Sequence, residues 1–430
     1  MAIEPDSTPR CDDLPRMTEV AVIGGGIIGA STALFLAREG RKVTLLEKGI
    51  VAGEQSGQNW GWCRSQNRAA AEVPLMERSL VLWDEMRQIT GRDLGFRRHG
   101  ALHVARGEAE LRNLTAWLET PGATESGVQV LNSSEVAAIL PSGSARFVGG
   151  LFTRSDGCAE PQLAAPGMAA AAQEAGARIV TGCAVTALQR DTTGRVTGVI
   201  TEAGELSAQE VVLAAGHWSS LLLRRHGLIL PQLRLLSSVL RTSPVTEPFP
   251  YSLIGPGFSL RPRLDGGYTL SAGLTVVADA VPDGLRYLRH FLPVLRDREA
   301  YGVKMRLGRR FWEELGYERR GTEQLTHTRR LEPLPVSSQL ASLHRTVNEL
   351  LPWLGPVKAA ETWAGYFDVT PDALPVISRV PQAPGLTVST GYSGHGFGLG
   401  PAAGEMTADI VQGRRPRTDH LPFRFDRFND

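Results

Sequence analysis

The stretch VAVIGGGIIGASTALFLAREGRKVTLLE at positions 20–47 decides the fold. A continuous apolar run, a glycine turn, a helix of small and apolar residues and a second apolar run closed by an acid make one strand–helix–strand unit. Gly24 permits the tight turn off the first strand, Gly26 lets backbone approach a pyrophosphate, and Gly29 brings the helix close to the sheet. Phosphates rest on the first helical turn, at Ile27 and Ile28, where unpaired N–H groups and the positive end of the dipole favour anions. Glu47, with Lys48 beside it, closes the second strand and can accept hydrogen bonds from ribose hydroxyls. An acid there repels a 2′-phosphate, which disfavours NADP. The glycines alone do not separate NAD from FAD.

With 430 residues, 42% of them hydrophobic, the chain can fill two domains. A net charge of +1 gives no reason to expect nucleic acid or an anionic membrane as partner. Cys11, Cys63, Cys158 and Cys183 form no paired motif, so a zinc or iron–sulfur site is not expected and a reducing cytoplasm is. Residues 1–17 are polar, carry Pro5, Pro9 and Pro15, and read as a loose tail. No apolar run approaches the roughly 20 residues of an integral membrane segment.

Beyond Glu47, residues 75–89 carry apolar residues at helical spacing, 95–105 alternate like a strand, 108–118 read as helix and 162–175 as an alanine-rich helix. Residues 176–181, 185–189 and 210–216 read as strands, the last fully apolar with a small-residue end that suits a buried parallel sheet. From 235 to 345 the runs change to hairpin-like strands around the Asp265-Gly266 turn, with a helix near 284–295. Near the C-terminus a strand at 385–390 precedes the glycine-dense stretch 391–404, read as a backbone nest, and a helix at 405–411. The expectation is an α/β chain: a discontinuous Rossmann-type domain (18–94, 150–234, 355–415), a mostly antiparallel substrate domain (95–149, 235–354), and tails at 1–17 and 416–430.

These pieces, in this order, resemble the D-amino acid oxidase superfamily of FAD-dependent oxidoreductases, which includes glycine oxidase, monomeric sarcosine oxidase and D-amino acid dehydrogenase. The likeness rests on the glycine fingerprint with Glu47, on Trp363-x-Gly365 followed by Thr370-Pro371-Asp372 and Pro375-x-Ile377, and on Gly394-His395-Gly396-Phe397 with Gly404. It implies FAD, held non-covalently because no cysteine follows Cys183. It further implies that Gln55, Ser56, Asn59, Trp60 and Gly61 wrap the pyrophosphate and pass the flavin, that Val185 offers backbone to the adenine, and that Ala215 and Gly216 flank the cofactor. Gly394, His395, Gly396, Phe397 and Gly398 would then lie against the isoalloxazine ring.

The two usual anchors for a substrate carboxylate are missing, since Phe367 and Gly398 stand in their places. A carboxylate at a dry flavin face needs a charged partner. Arg64, with Arg68, is the best replacement, and pairing of these arginines with Glu54 or Glu72 is the competing reading. Arg261 and Arg263 are weaker candidates. Tyr366 and Asp368 are expected near the substrate, Asp368 either binding a substrate cation or capping a turn before Thr370. His395 either polarises the flavin or packs in its turn, and Trp60 and Trp62 offer an apolar wall or interdomain packing.

The resemblance implies oxidation of a C–N bond of an amino acid, a D-amino acid first, by hydride transfer to flavin N5, with the imine then hydrolysing. The alternatives are a secondary or N-methyl amine in the same site, a hydroxy acid, and a non-catalytic flavin subunit. With Lys304 the only lysine of 235–345, a dehydrogenase passing electrons to a quinone or other carrier stands beside an oxygen-using oxidase.

Overall fold

The computed structural model describes residues 11–246, 248–273, 275–296, 303–320 and 323–428. The opening strand Met17–Ile23 runs parallel to Gly204–Leu213 on one side and to Val43–Leu46 on the other. Arg178–Val180 extends the sheet beyond Val43–Leu46, and Leu386–Thr390 lies parallel to the last residues of Gly204–Leu213. Where these strands lie side by side, Val20–Ile23, Val43–Leu46, Val211–Leu213 and Leu386–Thr390 are buried at every position, which is why their sequences there are mostly apolar rather than alternating. Val185–Arg190 and Val196–Thr201 fold antiparallel against the first half of Gly204–Leu213, and Val376–Arg379 pairs with Leu386–Thr390.

Helices Ile27–Arg38, Val73–Thr90, Pro161–Glu174 and Gly396–Val411 pack into one apolar layer. Two glycines make the closest approaches. Gly24 has φ +107°, and a Cβ there would stand 2.4 Å from the Ala214 carbonyl oxygen. A Cβ on Gly29 would stand 1.9 Å from the Gly24 carbonyl oxygen, so the helix could not start so near its strand.

The second sheet has ten strands and is mostly antiparallel. Its spine, Leu233–Thr242, pairs along its whole length with Ala359–Val369, and its other edge is shared by Tyr268–Ser271 and Val276–Asp279. The sheet continues through Phe258–Pro262, Ser252–Gly255, Ala101–Ala105, Gly149–Thr153 and Val128–Asn132. The α/β class, with a Rossmann-type sheet and an antiparallel second sheet, is the one the sequence implies.

Three local expectations are corrected. Ala359–Val369 and Gly149–Thr153, expected within the nucleotide-binding domain, both lie in the second sheet. Along Ala359–Val369 burial alternates from Trp363 onward, the signature of a strand covered on one face only. The C-terminal helix starts at Gly396, not 405, and its glycines serve packing rather than an open nest. A Cβ on Gly404 would meet Ser31 Oγ at 2.3 Å, one on Gly400 the Ile27 side chain at 2.7 Å, and one on Gly398 the Trp62 carbonyl oxygen at 2.9 Å. The helix expected at 284–295 is two, Pro282–Arg286 and Leu288–Arg296.

Candidate active site

One crevice runs from the C-terminal ends of the parallel strands to the foot of the C-terminal helix, enclosing about 1220 Å³, part of it open to solvent. Open α/β sheets hold ligands at this end of their strands. Its lining includes Glu47, Lys48 and Val185, the turn residues Gly24, Gly26, Ile27 and Ile28, then Gln55, Ser56 and Asn59, with Ala215 and Gly216 beside Gly24 and Gln55, and Gly394, Gly396 and Phe397. The fingerprint and the distant Gly394–Phe397 segment therefore share one wall.

Glu47 is held by backbone: Gly25 N–H donates to Oε2 and Gly49 N–H to Oε1, each at 2.7 Å. Burial pushes its carboxyl up, against those two donors. Ser56 Oγ accepts from Ile27 N–H at 2.8 Å, so a hydroxyl occupies a donor of the first helical turn. Asn59 ties its own loop, donating to the Ser56 carbonyl at 2.7 Å and accepting from Gly61 N–H at 2.7 Å. Trp60 and Gly61 lie past the lining. Gly61 instead packs where a Cβ would stand 2.4 Å from the Ala159 carbonyl oxygen and 3.1 Å from the Arg261 guanidinium. Gly29 and Gly398 are likewise packing positions, and the Gly398 carbonyl accepts from Ser79 Oγ and Trp83 Nε1.

Several lining residues escaped the sequence reading. Glu54 accepts from Trp218 Nε1 at 2.8 Å and from Lys48 Nζ at 3.2 Å, and Lys48 lies 3.6 Å over the Trp218 ring. Thr390 donates to the Gly216 carbonyl at 2.9 Å. The only signal for them is proximity in sequence to Glu47, Gly216 and Gly391. Phe367, noted as a missing anchor, lines the crevice beside Gly394.

Asp368 lines the crevice but is already engaged, accepting from Gln232 Nε2 at 2.5 Å and Gly391 N–H at 2.9 Å, with no cation paired to it among the described residues. The Gln55 amide is satisfied when its oxygen accepts from His217 and its nitrogen donates to Asp368 Oδ1 at 3.1 Å. Burial pushes the Asp368 carboxyl up. The aspartate thus holds the turn at Gly391 rather than one before Thr370. Tyr366 is a correction: strand alternation turns it away from Phe367, into a cluster with Leu236 and Val277, where its hydroxyl donates to Asp279 at 2.9 Å and Arg310 lies 4.6 Å over its ring.

His395 precedes the C-terminal helix, and its Nδ1 lies 3.1 Å from both oxygens of Glu72, whose carboxylate is 1% exposed. Arg64 and Arg68 adjoin this pair. Neither guanidinium reaches a carboxylate within ion-pair distance among the described residues, because Glu72 serves His395 and Glu54 serves Lys48 and Trp218. Arg64 donates to the Gln66 carbonyl at 2.7 Å, Arg68 Nε to the Arg64 carbonyl at 3.2 Å, and the Arg68 NH1 nitrogen is buried without a partner. Burial, then the neighbouring Arg68, pulls Arg64 down to about 9, and burial lowers Arg68 as well. The pairing with Glu54 or Glu72 that competed for these arginines is not formed. Arg261, by contrast, is spent on Glu160, with nitrogens 2.9 and 3.2 Å from its two oxygens.

A glycine turn under a helix start, an acid at the second strand end and a crevice reaching a second glycine-bearing helix start define a dinucleotide-binding oxidoreductase of the flavin type. The family of FAD dependent oxidoreductases, DAO, matches residues 19–410, and the chain belongs to it. It is 27% identical over 432 residues to the sarcosine oxidase subunit beta of Rhizobium meliloti (strain 1021), covering 99% of this chain and 90% of that one. It is 28% identical to a D-amino acid dehydrogenase of Methylobacterium sp. (strain 4-46), covering 95% and 99%. Among solved structures, the L-amino acid deaminase of Proteus myxofaciens in complex with anthranilate is similar at a TM-score of 0.91 and 29% identity, covering 100% of this chain and 97% of that one.

FAD is the family's cofactor, and the residues present fit it. Gly26 borders the crevice where a Cβ would touch only Ser56 Oγ, at 3.0 Å, leaving bare backbone for a pyrophosphate. No helix of the described residues is long and apolar enough to cross a membrane, and no cluster of those residues could hold a metal ion.

Proposed function

We propose that this chain oxidises the C–N bond of an α-amino acid whose carboxylate is held by Arg64 and Arg68. The observation that carries the reading is two adjoining, largely buried guanidinium groups without a carboxylate partner, beside His395, whose chain neighbours Gly394 and Gly396 line the crevice. Two desolvated like charges are unfavourable unless an anion joins them, and a carboxylate accepts from guanidinium in a fork geometry. Glu47 and Lys48 would hold the adenosine end of FAD, Gly24 to Ser56 the pyrophosphate, and Ala215, Gly216 and Gly394 to Phe397 the ring. FAD, when bound, supplies the acceptor for the two electrons and the hydrogen leaving the α carbon.

The protein orients the substrate and manages its amine proton. Burial and the nearby Arg68 and Arg64 keep His395 below its ordinary value despite Glu72, so it is neutral near pH 7. With Nδ1–H donating to Glu72, its Nε2 lone pair is free to take a proton from the substrate ammonium, leaving the neutral amine from which hydride departs readily. Phe367, in place of a basic residue, leaves an apolar surface for the substrate side chain.

The overall likeness to an L-amino acid deaminase supports the L form ahead of the D form implied by the sequence resemblance. A secondary amine acid is the second reading, favoured by the near-complete match to a sarcosine oxidase subunit. The test is anaerobic bleaching of the bound flavin by paired L- and D-amino acids, N-methyl amino acids and the same amines without a carboxylate. Fast bleaching by α-amino acids alone supports the reading. Equal bleaching by decarboxylated amines would remove the carboxylate anchor from it.

A further inference from the structure

Asp368 lines the crevice with Phe367, Gly216, Thr390 and Gly394, and it is 2% exposed. Three N–H donors face its carboxyl: Gln232 Nε2 at 2.5 Å, Gly391 N–H at 2.9 Å and, in the satisfied orientation of its amide, Gln55 Nε2 at 3.1 Å. A neutral carboxyl needs an acceptor for its own proton. Thr390 Oγ1 is the hydroxyl beside it, but it lies 3.5 Å away, too far for a good hydrogen bond, and gives its proton to the Gly216 carbonyl. The surroundings therefore suit the ionised form. Burial pushes the carboxyl up, and the three donors oppose that.

The cations of this region are committed elsewhere. Arg234 stands opposite Asp368 on the neighbouring strand, but its guanidinium goes to Glu314 and lies 5.8 Å over the Tyr366 ring. Lys48 serves Glu54 and the Thr328 carbonyl. His217, which shares Gln55 with Asp368, is kept neutral by burial, its value held well below the usual one. A turn alone gains little from an ion here, because a neutral oxygen can meet the same donors without the cost of a buried charge. Gly216, whose carbonyl also accepts from Gln232 at 3.3 Å, and Gly394 are among the residues assigned above to the flavin ring.

From that ring placement we infer that the Asp368 carboxylate is a fixed negative charge beside the flavin, lowering the two-electron potential of bound FAD. FAD that has taken two electrons and one proton carries one more negative charge than before, and a carboxylate in a dry site disfavours it. The reduced cofactor is thereby a stronger donor to the acceptor that follows.

The test is the midpoint potential of the purified, flavin-loaded full chain, read by visible absorbance in equilibrium with a reference dye. Asp368→Asn removes the charge at nearly constant shape, Asp368→Ser removes it with a smaller side chain, and Asp368→Glu keeps it. Both uncharged variants are expected to raise the ratio of reduced to oxidised FAD at fixed dye potential by about tenfold, or about 30 mV for a two-electron couple, with Asp368→Glu within about threefold of wild type. A change of shape alone would move all three alike. An unchanged ratio in an uncharged variant that still carries FAD, or a glutamate variant that moves as far as the others, overturns the inference. So does loss of flavin from both uncharged variants, since the aspartate would then serve the fold alone. An unchanged potential with a shifted flavin spectrum removes only the charge effect, whereas an unmoved spectrum removes the ring placement as well. No amino acid enters the assay, so its outcome is separate from the substrate anchor at Arg64 and Arg68.

Discussion

Gly26→Ala isolates the pyrophosphate site from the fold. The residue has φ −73° and ψ 179°, a conformation open to alanine, and the added Cβ would stand 3.0 Å from the Ser56 hydroxyl with no backbone atom among its close neighbours. Ser56 can rotate away at the expense of its bond to Ile27 N–H, so the apoprotein should lose no more than about 1 kcal/mol. The methyl, however, stands where a pyrophosphate must approach the first helical turn. Losing two hydrogen bonds to a charged group, at roughly 1.5–3 kcal/mol each, removes about 3 kcal/mol or more and weakens FAD binding by at least ~100-fold. Gly24→Ala is the contrast, because its φ of +107° and the Ala214 carbonyl oxygen 2.4 Å from a Cβ strain the turn itself. The assay is FAD titration of each apoprotein by quenching of flavin fluorescence, with thermal melting of the same samples. The reasoning fails if Gly26→Ala binds FAD within about threefold of wild type, or if its apoprotein melts as low as Gly24→Ala.

Other perturbations address separate parts of the molecule. Arg64→Gln should raise KM for an α-amino acid by about 100-fold or more while leaving turnover of the decarboxylated amine unchanged, measured by steady-state kinetics on the pair. Glu160→Gln leaves the Arg261 charge buried, 2% exposed, and should destabilise by about 3–5 kcal/mol in urea unfolding; a loss under about 1 kcal/mol would mean the charge finds water. Burial, then Arg64, holds His103 at about 3, below its unfolded value of 6.5, so the unfolded chain takes up the proton first as pH falls. The stability tied to it is complete above pH 6.5 and is lost as acid is added; His103→Gln should narrow the stability gap between pH 7.5 and pH 5 by about 2 kcal/mol, as read from urea midpoints.

The parts of this fold that announce themselves are those set by backbone sterics and burial. Gly24, Gly29 and the apolar strands around them are legible because only glycine fits those contacts and only a sheet buried on both faces keeps its strands mostly apolar. The glycines from 396 to 404 show the limit of that logic. They read as an open nest, yet Gly398, Gly400 and Gly404 let one helix press against another chain segment, and sequence does not say whether a missing Cβ admits a ligand or a neighbour. Tyr366 and Trp363 share a motif but sit on opposite faces of one strand, which becomes visible only once its partner Leu233–Thr242 is known. The Arg64 environment was half legible: the residue types stood out, but the absence of a carboxylate partner depends on Glu72 turning to His395 over 323 positions. Trp218 escaped altogether and Glu54 was read only as a partner for the arginines, since their contact spans 164 positions with no local pattern.

The most direct measurement is a crystal structure of the purified flavoprotein soaked with a non-oxidisable short-chain carboxylate. FAD should occupy the single crevice from Glu47 to Phe397, with the carboxylate in contact with Arg64 or Arg68 and with the His395 Nε2 edge. A carboxylate bound elsewhere while both guanidinium groups keep only their present partners would contradict the assignment of the substrate anchor, and FAD outside that crevice would contradict the site as a whole.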